Sequence, residues 1–204
     1  MTEAFRSIGY SRHRIGSDGA GVTTLVGGSG CPLDCRYCLN PHCKLPQPPC
    51  RFTAEELYEK LLPDSLYFEA TCGGVTFGGG EPLLQAEFIR NFIEFVREKG
   101  KDWRFYLETC LAVETDTLAL LDGIIDGYIV DIKDMDSDIY KAYTGKDNRL
   151  MKENLLYLAP VQEKVTVKIP LIPDFNTAEN VLRSETQVRG MGFTHIERFK
   201  YTIR

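Results

Sequence analysis

The chain has 204 residues, and 24 Lys+Arg against 29 Asp+Glu give it a formal net charge of −5. With 43% hydrophobic and 26% charged residues it reads as one globular core, and its mild acidity removes any bulk electrostatic case for binding nucleic acid or an anionic membrane. No apolar run approaches the roughly 20 residues of a membrane span, and residues 1–10 lack the apolar stretch of a signal peptide, so a cytoplasmic chain is expected.

In chain order, residues 22–26 are short, β-branched and bounded by glycines, and predict the first strand. Thr53, with Glu56 three residues on, forms a capping-box pattern that opens a helix over 54–62. A strand follows at 74–77. Phe88, Ile89, Phe92, Ile93 and Val96 recur at helical spacing over 86–99, and Gly100 provides the stop. Strands are then expected at 104–108, 128–133, 164–172 and 195–201, and helices at 115–121, 137–143, 152–158 and 177–189. Six strands alternating with helices predict an α/β fold with a parallel sheet and right-handed crossovers. Eight such units take about 250 residues to close. The expectation is therefore a partial, about six-unit parallel β/α barrel, with 1–204 as a single domain. Sites in such folds lie at the C-terminal ends of the strands.

Seven cysteines in a chain without a secretory leader point to metal or redox chemistry rather than to a disulfide framework. Three form a C-x3-C-x2-C array, Cys31, Cys35 and Cys38, directly after the first strand and the glycine-rich turn 27–30. Three thiolates on one loop converge on a soft metal centre, and a full thiolate set for an iron–sulfur cube is four, which leaves one iron open. A zinc knuckle completed by Cys43 or His42, or free thiols, are the other readings of the residues alone. Zinc sites, however, usually come as two separated pairs, and no second pair is present.

Polar groups gather at the other strand ends. The run 73–85 joins a strand to a helix through Gly78, Gly79 and Gly80, whose backbone is open to a ligand, and Glu81 can accept from an ammonium group. Glu108 and Thr109 end the next strand. Asp131 and Lys133 end the one after, on the same face by strand alternation. Lys168 lies in the fifth strand. Cys43, Cys50, Cys72 and Cys110 are left over; four is the number a second cluster needs, although cysteine is often a small buried apolar residue. Cys72 and Cys110 are expected near the active mouth.

The cysteine array resembles the signature of the radical S-adenosylmethionine (SAM) superfamily. The string 73–85 narrows the resemblance to enzymes that activate glycyl-radical enzymes, and the turn Asp18-Gly19-Ala20-Gly21 is similar to their D-G-P-G. The resemblance implies a [4Fe–4S] cluster on Cys31, Cys35 and Cys38, with SAM chelating the fourth iron. It implies that Tyr37 lies near the adenine, that Gly79, Gly80 and Glu81 bind the SAM amino group, and that Asp131, Lys133 and Lys168 also contact SAM. Glu108, Thr109 and Asp131 would hold a monovalent cation. Reductive cleavage of SAM would give a 5′-deoxyadenosyl radical that abstracts a hydrogen atom. The substrate would be a glycine of a partner glycyl-radical enzyme, and the electron donor a flavodoxin or ferredoxin-like protein. A maturase of a peptide or small molecule, and a non-catalytic iron–sulfur carrier, are the alternatives. Such activases continue past the sixth strand to a histidine that contacts SAM, and Thr202 takes that position here.

Overall fold

The computed structural model describes residues 4–201. Eight strands form one sheet: β1 (Phe5–Ile15), β2 (Val22–Gly28), β3 (Cys50–Phe52), β4 (Gly74–Gly79), β5 (Arg104–Thr109), β6 (Gly127–Asp131), β7 (Val165–Leu171) and β8 (Ile196–Lys200). Their order is β3-β1-β2-β4-β5-β6-β7-β8. From β2 through β8 every neighbouring pair is parallel, which makes six parallel strands. β1 is antiparallel to both β2 and β3. The sheet does not close, since β3 and β8 are its two ends. The predicted partial barrel of about six parallel units is therefore present, with an antiparallel flap of two strands added at one edge.

That flap has a weak sequence signal. β1 alternates poorly, is exposed over much of its length, and carries register shifts at Ser7/Gly9 and Ser11/Arg14. His13 within it has a φ of 55°, a left-handed conformation that breaks strand periodicity. Tertiary bonds hold it instead. The Gln85 side-chain amide accepts from the Arg6 N–H at 2.7 Å and donates to the Arg6 carbonyl at 3.0 Å, next to the point where the β2 pairing ends at Ser7 and Gly28. Arg12, His13 and Thr24 converge on the buried carboxylate of Asp64.

The helices are α1 (Ala54–Leu61), α2 (Ser65–Thr71), α3 (Ala86–Glu98), α4 (Thr115–Ala119), α5 (Ser137–Thr144), α6 (Arg149–Leu158) and α7 (Ala178–Gly190). Thr53 closes the expected capping box with Glu56, and Thr177 makes a second one with Asn180. α2 lies outside the predicted elements. α6 starts three residues earlier than its pattern indicates. None of these helices is long and apolar enough to cross a membrane.

α3 carries the strongest apolar face. Phe88, Ile89, Phe92, Ile93 and Val96 are all buried, and the Phe92 ring meets Phe77 of β4, Phe105 of β5 and Phe88. This face seals one side of the sheet and fixes the positions of the β4 and β5 ends. Phe92→Ala should cost about 3–5 kcal/mol in chemical denaturation, because the surrounding rings cannot collapse into the space. Leu156→Ala, at a position 55% exposed, should stay within about 0.5 kcal/mol.

Candidate functional site

The loop after β2 is held at both ends. Ser29 N–H donates to the Arg6 carbonyl at 2.8 Å, and Gly30 N–H to the Cys43 carbonyl at 2.7 Å. Farther on, Asp34 and Arg36 N–H donate to the carbonyls of Thr144 and Tyr143 at 2.7 and 3.1 Å. These are last-turn carbonyls of α5, which lack partners within the helix. Cys35 is bracketed between these two bonds. Leu33 is buried and pins the loop to the core.

The glycine run of β4 backs onto this loop. Gly80 N–H donates to the Gly28 carbonyl at 3.0 Å, and Glu81 N–H to the Gly30 carbonyl at 2.7 Å. A Cβ on Gly80 would sit 2.1 Å from that Gly30 oxygen, and Gly79 has a φ of 92°. Only glycine permits both the approach and the turn. The glycines thus weld two loops together as well as opening backbone to a ligand.

The result is a cavity of ≈ 280 Å³ at the C-terminal ends of the parallel strands. Cys31, Cys35 and Cys38 all line it. So do Gly79, Gly80, Glu108, Thr109, Asp131 and Lys133, each named from its strand end in the sequence, and Lys168, named from within its strand. Burial pushes the Cys35 thiol up to about 11. Cys31 is lowered, chiefly by the neighbouring Cys110 side chain.

Two lysines and two carboxylates balance in this cavity. Lys133 pairs with Asp131, and Lys168 Nζ lies 3.8 Å from Glu108 Oε1. Burial works against the Lys133 charge, but Asp131 and Cys35 outweigh it and raise its pKa well above the ordinary value. Burial raises the Glu108 carboxyl, and Lys168 offsets this in part. Asp131 sits in register with Lys168, while its second oxygen, Oδ1, is buried without a partner among the described residues. Strand alternation does not carry Lys133 to Asp131 as expected, because β6 ends at Asp131. Lys133 instead has a φ of 59° and folds back onto it. The loop that follows is fixed by the buried Asp134, which accepts from Ser184 and from Asn176.

Several of the residues named from the sequence lie away from the cavity lining. Glu81 does not face the cavity. It is fully buried, and its carboxylate accepts from Thr109 Oγ1 at 2.7 Å, from the Cys110 N–H and thiol at 2.9 Å each, and from the Leu83 N–H at 3.1 Å. Through these bonds the carboxylate positions Thr109, Cys110 and Leu83. The Thr109 hydroxyl gives its proton to Glu81 and accepts from the Leu111 N–H, while Thr109 also lines the cavity with Glu108 and Asp131. Tyr37 is outside the cavity wall. Its hydroxyl donates to Asp174 at 2.8 Å, and its ring packs edge-on against Phe175. Cys72 is not at the mouth: it caps α2 before β4, at the opposite end of the strand. Cys110 is at the mouth, as expected. Cys50 lies in edge strand β3 and Cys43 in the short helix Pro41–Lys44, so the four remaining cysteines are dispersed. Thr202 lies outside the described residues.

The sequence did not mark Asn40, Phe199 and Tyr201, which also line the cavity. Asn40 Nδ2 donates to the Gly79 carbonyl at 3.0 Å, and the Tyr201 hydroxyl to the Tyr37 carbonyl. None of the three has a spacing signal. The turn 18–21 lies against the sheet: Thr76 Oγ1 donates to the Asp18 carbonyl, and a Cβ on Gly19 would lie 2.5 Å from the Tyr106 ring.

The donor set fits a multi-iron thiolate group. Three soft thiols open from one loop onto one cavity, and beside them amines, carboxylates and glycine backbone suit a zwitterionic ligand. Among the described residues no three Cys, His, Asp or Glu side chains converge on a single-ion position.

The sequence model of the Radical SAM superfamily matches residues 25–183. The chain is 34% identical over 169 residues to the pyruvate formate-lyase-activating enzyme of Clostridium pasteurianum, covering 81% of this chain and 68% of that one. It is 32% identical over 166 residues to the enzyme of the same name from Staphylococcus aureus strain USA300, covering 78% and 65%. It thus spans about two thirds of the length of these relatives. In fold it is similar to QueE from Escherichia coli, with a TM-score of 0.56, 10% identity, and coverage of 97% of this chain and 95% of that one.

Glu81 yields a prediction that needs no ligand. Glu81→Gln puts an amide donor against the Cys110 N–H, so stability in chemical denaturation should fall by about 1–3 kcal/mol. An unchanged midpoint would mean that the carboxylate does not hold the strand ends together.

Proposed function

This chain belongs to the radical SAM superfamily, and from that premise we propose that it activates a partner glycyl-radical enzyme, with residues 1–204 acting as one radical SAM core. The observation that carries the reading is the single cavity onto which the three loop thiols, the Gly79–Gly80 backbone and the Asp131–Lys133 pair all open. The identity to two activating enzymes supports the choice of substrate class.

In this reading Cys31, Cys35 and Cys38 hold a [4Fe–4S] cluster. When bound, the reduced cluster and SAM supply a 5′-deoxyadenosyl radical that takes a hydrogen atom from a glycine Cα. The chain's own residues set the geometry. Gly79 and Gly80 offer backbone to the SAM amino acid end, and Asp131 Oδ1 has an unused lone pair there. Lys133 and Lys168 balance the SAM carboxylate. Glu108 and Asp131 hold a monovalent cation beside it. Glu81 keeps Thr109 and Cys110 in place behind the wall, and Tyr37 anchors the loop at the rim through Asp174 and Tyr201. Restricting the reacting groups to one arrangement is what the protein contributes to the rate. A flavodoxin or ferredoxin-like protein supplies the electron.

The test is anaerobic reconstitution, reduction with dithionite, and measurement of 5′-deoxyadenosine from SAM. The intact protein should form it, and Cys35→Ala should not. Mixing with a glycyl-radical enzyme should then give a glycyl signal by electron paramagnetic resonance. Protein with an intact cluster that forms no 5′-deoxyadenosine overturns the chemistry; 5′-deoxyadenosine without a glycyl signal overturns the substrate. Asp131→Asn removes a charge-assisted contact worth about 1.5–3 kcal/mol, so the Kd for SAM by calorimetry should rise by roughly ten- to a hundredfold.

A further inference from the structure

The helix behind the cysteine loop carries a polar group that the proposed function leaves unused. Tyr140 of α5 is 0% exposed, and its hydroxyl has no hydrogen-bond partner among the described residues. Buried phenols are rarely left in that state, because a hydroxyl taken out of water without a partner forfeits its hydrogen bonds. The core does not ask for it. The ring belongs to the same apolar cluster as Leu33, Ile132 and Met135, and a phenylalanine would serve that cluster without the hydroxyl.

The seating of α5 limits what the hydroxyl can serve. The cysteine loop rests on the last turn of this helix through Asp34 and Arg36, the residues on either side of Cys35. The ionisable groups that act on the Tyr140 phenol are Cys110, Lys133, Cys35 and Asp131, and all four line the cavity. Tyr140 does not line it, so the hydroxyl stands behind the wall and serves a wall atom rather than a ligand inside. The Cys110 thiol is bonded to Glu81, and Lys133 is a donor already paired with Asp131. Asp131 keeps its other oxygen without a partner, so the hydroxyl is not bonded there. That leaves Cys35. Its sulfur is a weak acceptor as a thiol, and as an iron-bound thiolate it carries negative charge and accepts well. Tyr143, the next residue on this face of α5, has a second phenol to pair with, since its ring centroid lies 6.4 Å from that of Tyr201.

We propose that the Tyr140 hydroxyl donates a hydrogen bond to the Cys35 sulfur when that sulfur holds the cluster, and so sets how readily the cluster accepts its electron. The inference rests on the reading of the three cysteines as cluster ligands. Reduction adds one negative charge to the cluster and its thiolates. A donor against one of those sulfurs stabilises the added charge and raises the potential. Tyr140 is a positioning residue that acts through Cys35. It keeps its proton throughout, and no bond forms or breaks.

The experiment compares Tyr140→Phe with the parent chain, both reconstituted anaerobically to the same iron content and studied without SAM. A redox titration followed by electron paramagnetic resonance gives the midpoint potential. The equilibrium constant for one-electron reduction should fall about tenfold in Tyr140→Phe, which is a shift of about 59 mV to lower potential. Electron–nuclear double resonance on the reduced parent should show one exchangeable-proton coupling that Tyr140→Phe lacks. A 3-fluorotyrosine at position 140 is a more acidic phenol and a stronger donor, so it should move the potential upward. A change in packing does not give shifts of opposite sign. If Tyr140→Phe holds no cluster, the 3-fluorotyrosine protein carries the test. Parent potentials in both variants, or a downward shift in both, overturn the proposal. So does a shift that leaves the proton coupling in place, since the hydroxyl then lies elsewhere. A parent chain that forms no cluster reducible by dithionite sinks the functional reading instead, before any variant is compared.

Discussion

The site depends on one close approach of backbone to backbone. The end of β4 lies against the loop that leaves β2, with Gly80 bonded to Gly28 and Glu81 to Gly30. There is no room for a side chain at Gly80, where a Cβ would fall 2.1 Å from a carbonyl oxygen. This contact turns a flexible cysteine loop into a fixed wall. It also points the Glu81 side chain inward, where it gathers Thr109 and Cys110 from β5. Two strand ends and the cysteine loop are thereby one unit. Any side chain at Gly80 separates them, whatever its chemistry.

A buried carboxylate with four donors is a structural device of some cost. Burial raises the Glu81 carboxyl, and only its hydrogen bonds oppose that. What the molecule gains is a fixed Cys110 thiol beside Cys31. The chain of contacts runs from a glycine turn through an acid to a thiol beside the first cysteine of the array. The charged groups of the cavity follow the opposite arrangement. Asp131, Glu108, Lys133 and Lys168 are left partly solvated and cancel one another, so the cavity offers both signs to a ligand without a large net field.

The two sides of the cysteine loop differ in charge. The mouth is balanced, whereas the outer face gathers Arg6, Lys44 and Arg51. β1 and β3 produce that difference, because their antiparallel pairing sets two arginines opposite each other at the sheet edge. These strands lie outside the parallel repeat and give a surface to a loop that the parallel strands alone would leave uncovered.

The sequence by itself determined the parallel architecture and most of the polar lining of the cavity, but not Asn40, Phe199 and Tyr201. Apolar periodicity is local, so α3 and the six parallel strands are legible from single segments. The cysteine spacing and the polar residues at strand ends are legible because strand direction sends every such end to one side of the sheet. Only the tertiary structure decided which way the side chains turn. Glu81, Thr109 and Tyr37 belong to the site's motifs, yet hydrogen bonds to residues 28 to 137 positions away hold them in other roles. Tertiary contacts likewise decided the β1 and β3 flap, since β1 lacks alternation and is tied down through Gln85 and Asp64. The reason is common to both cases. A period records the face a residue prefers, while the partner of a buried polar group is set by what the fold brings within about 3 Å of it.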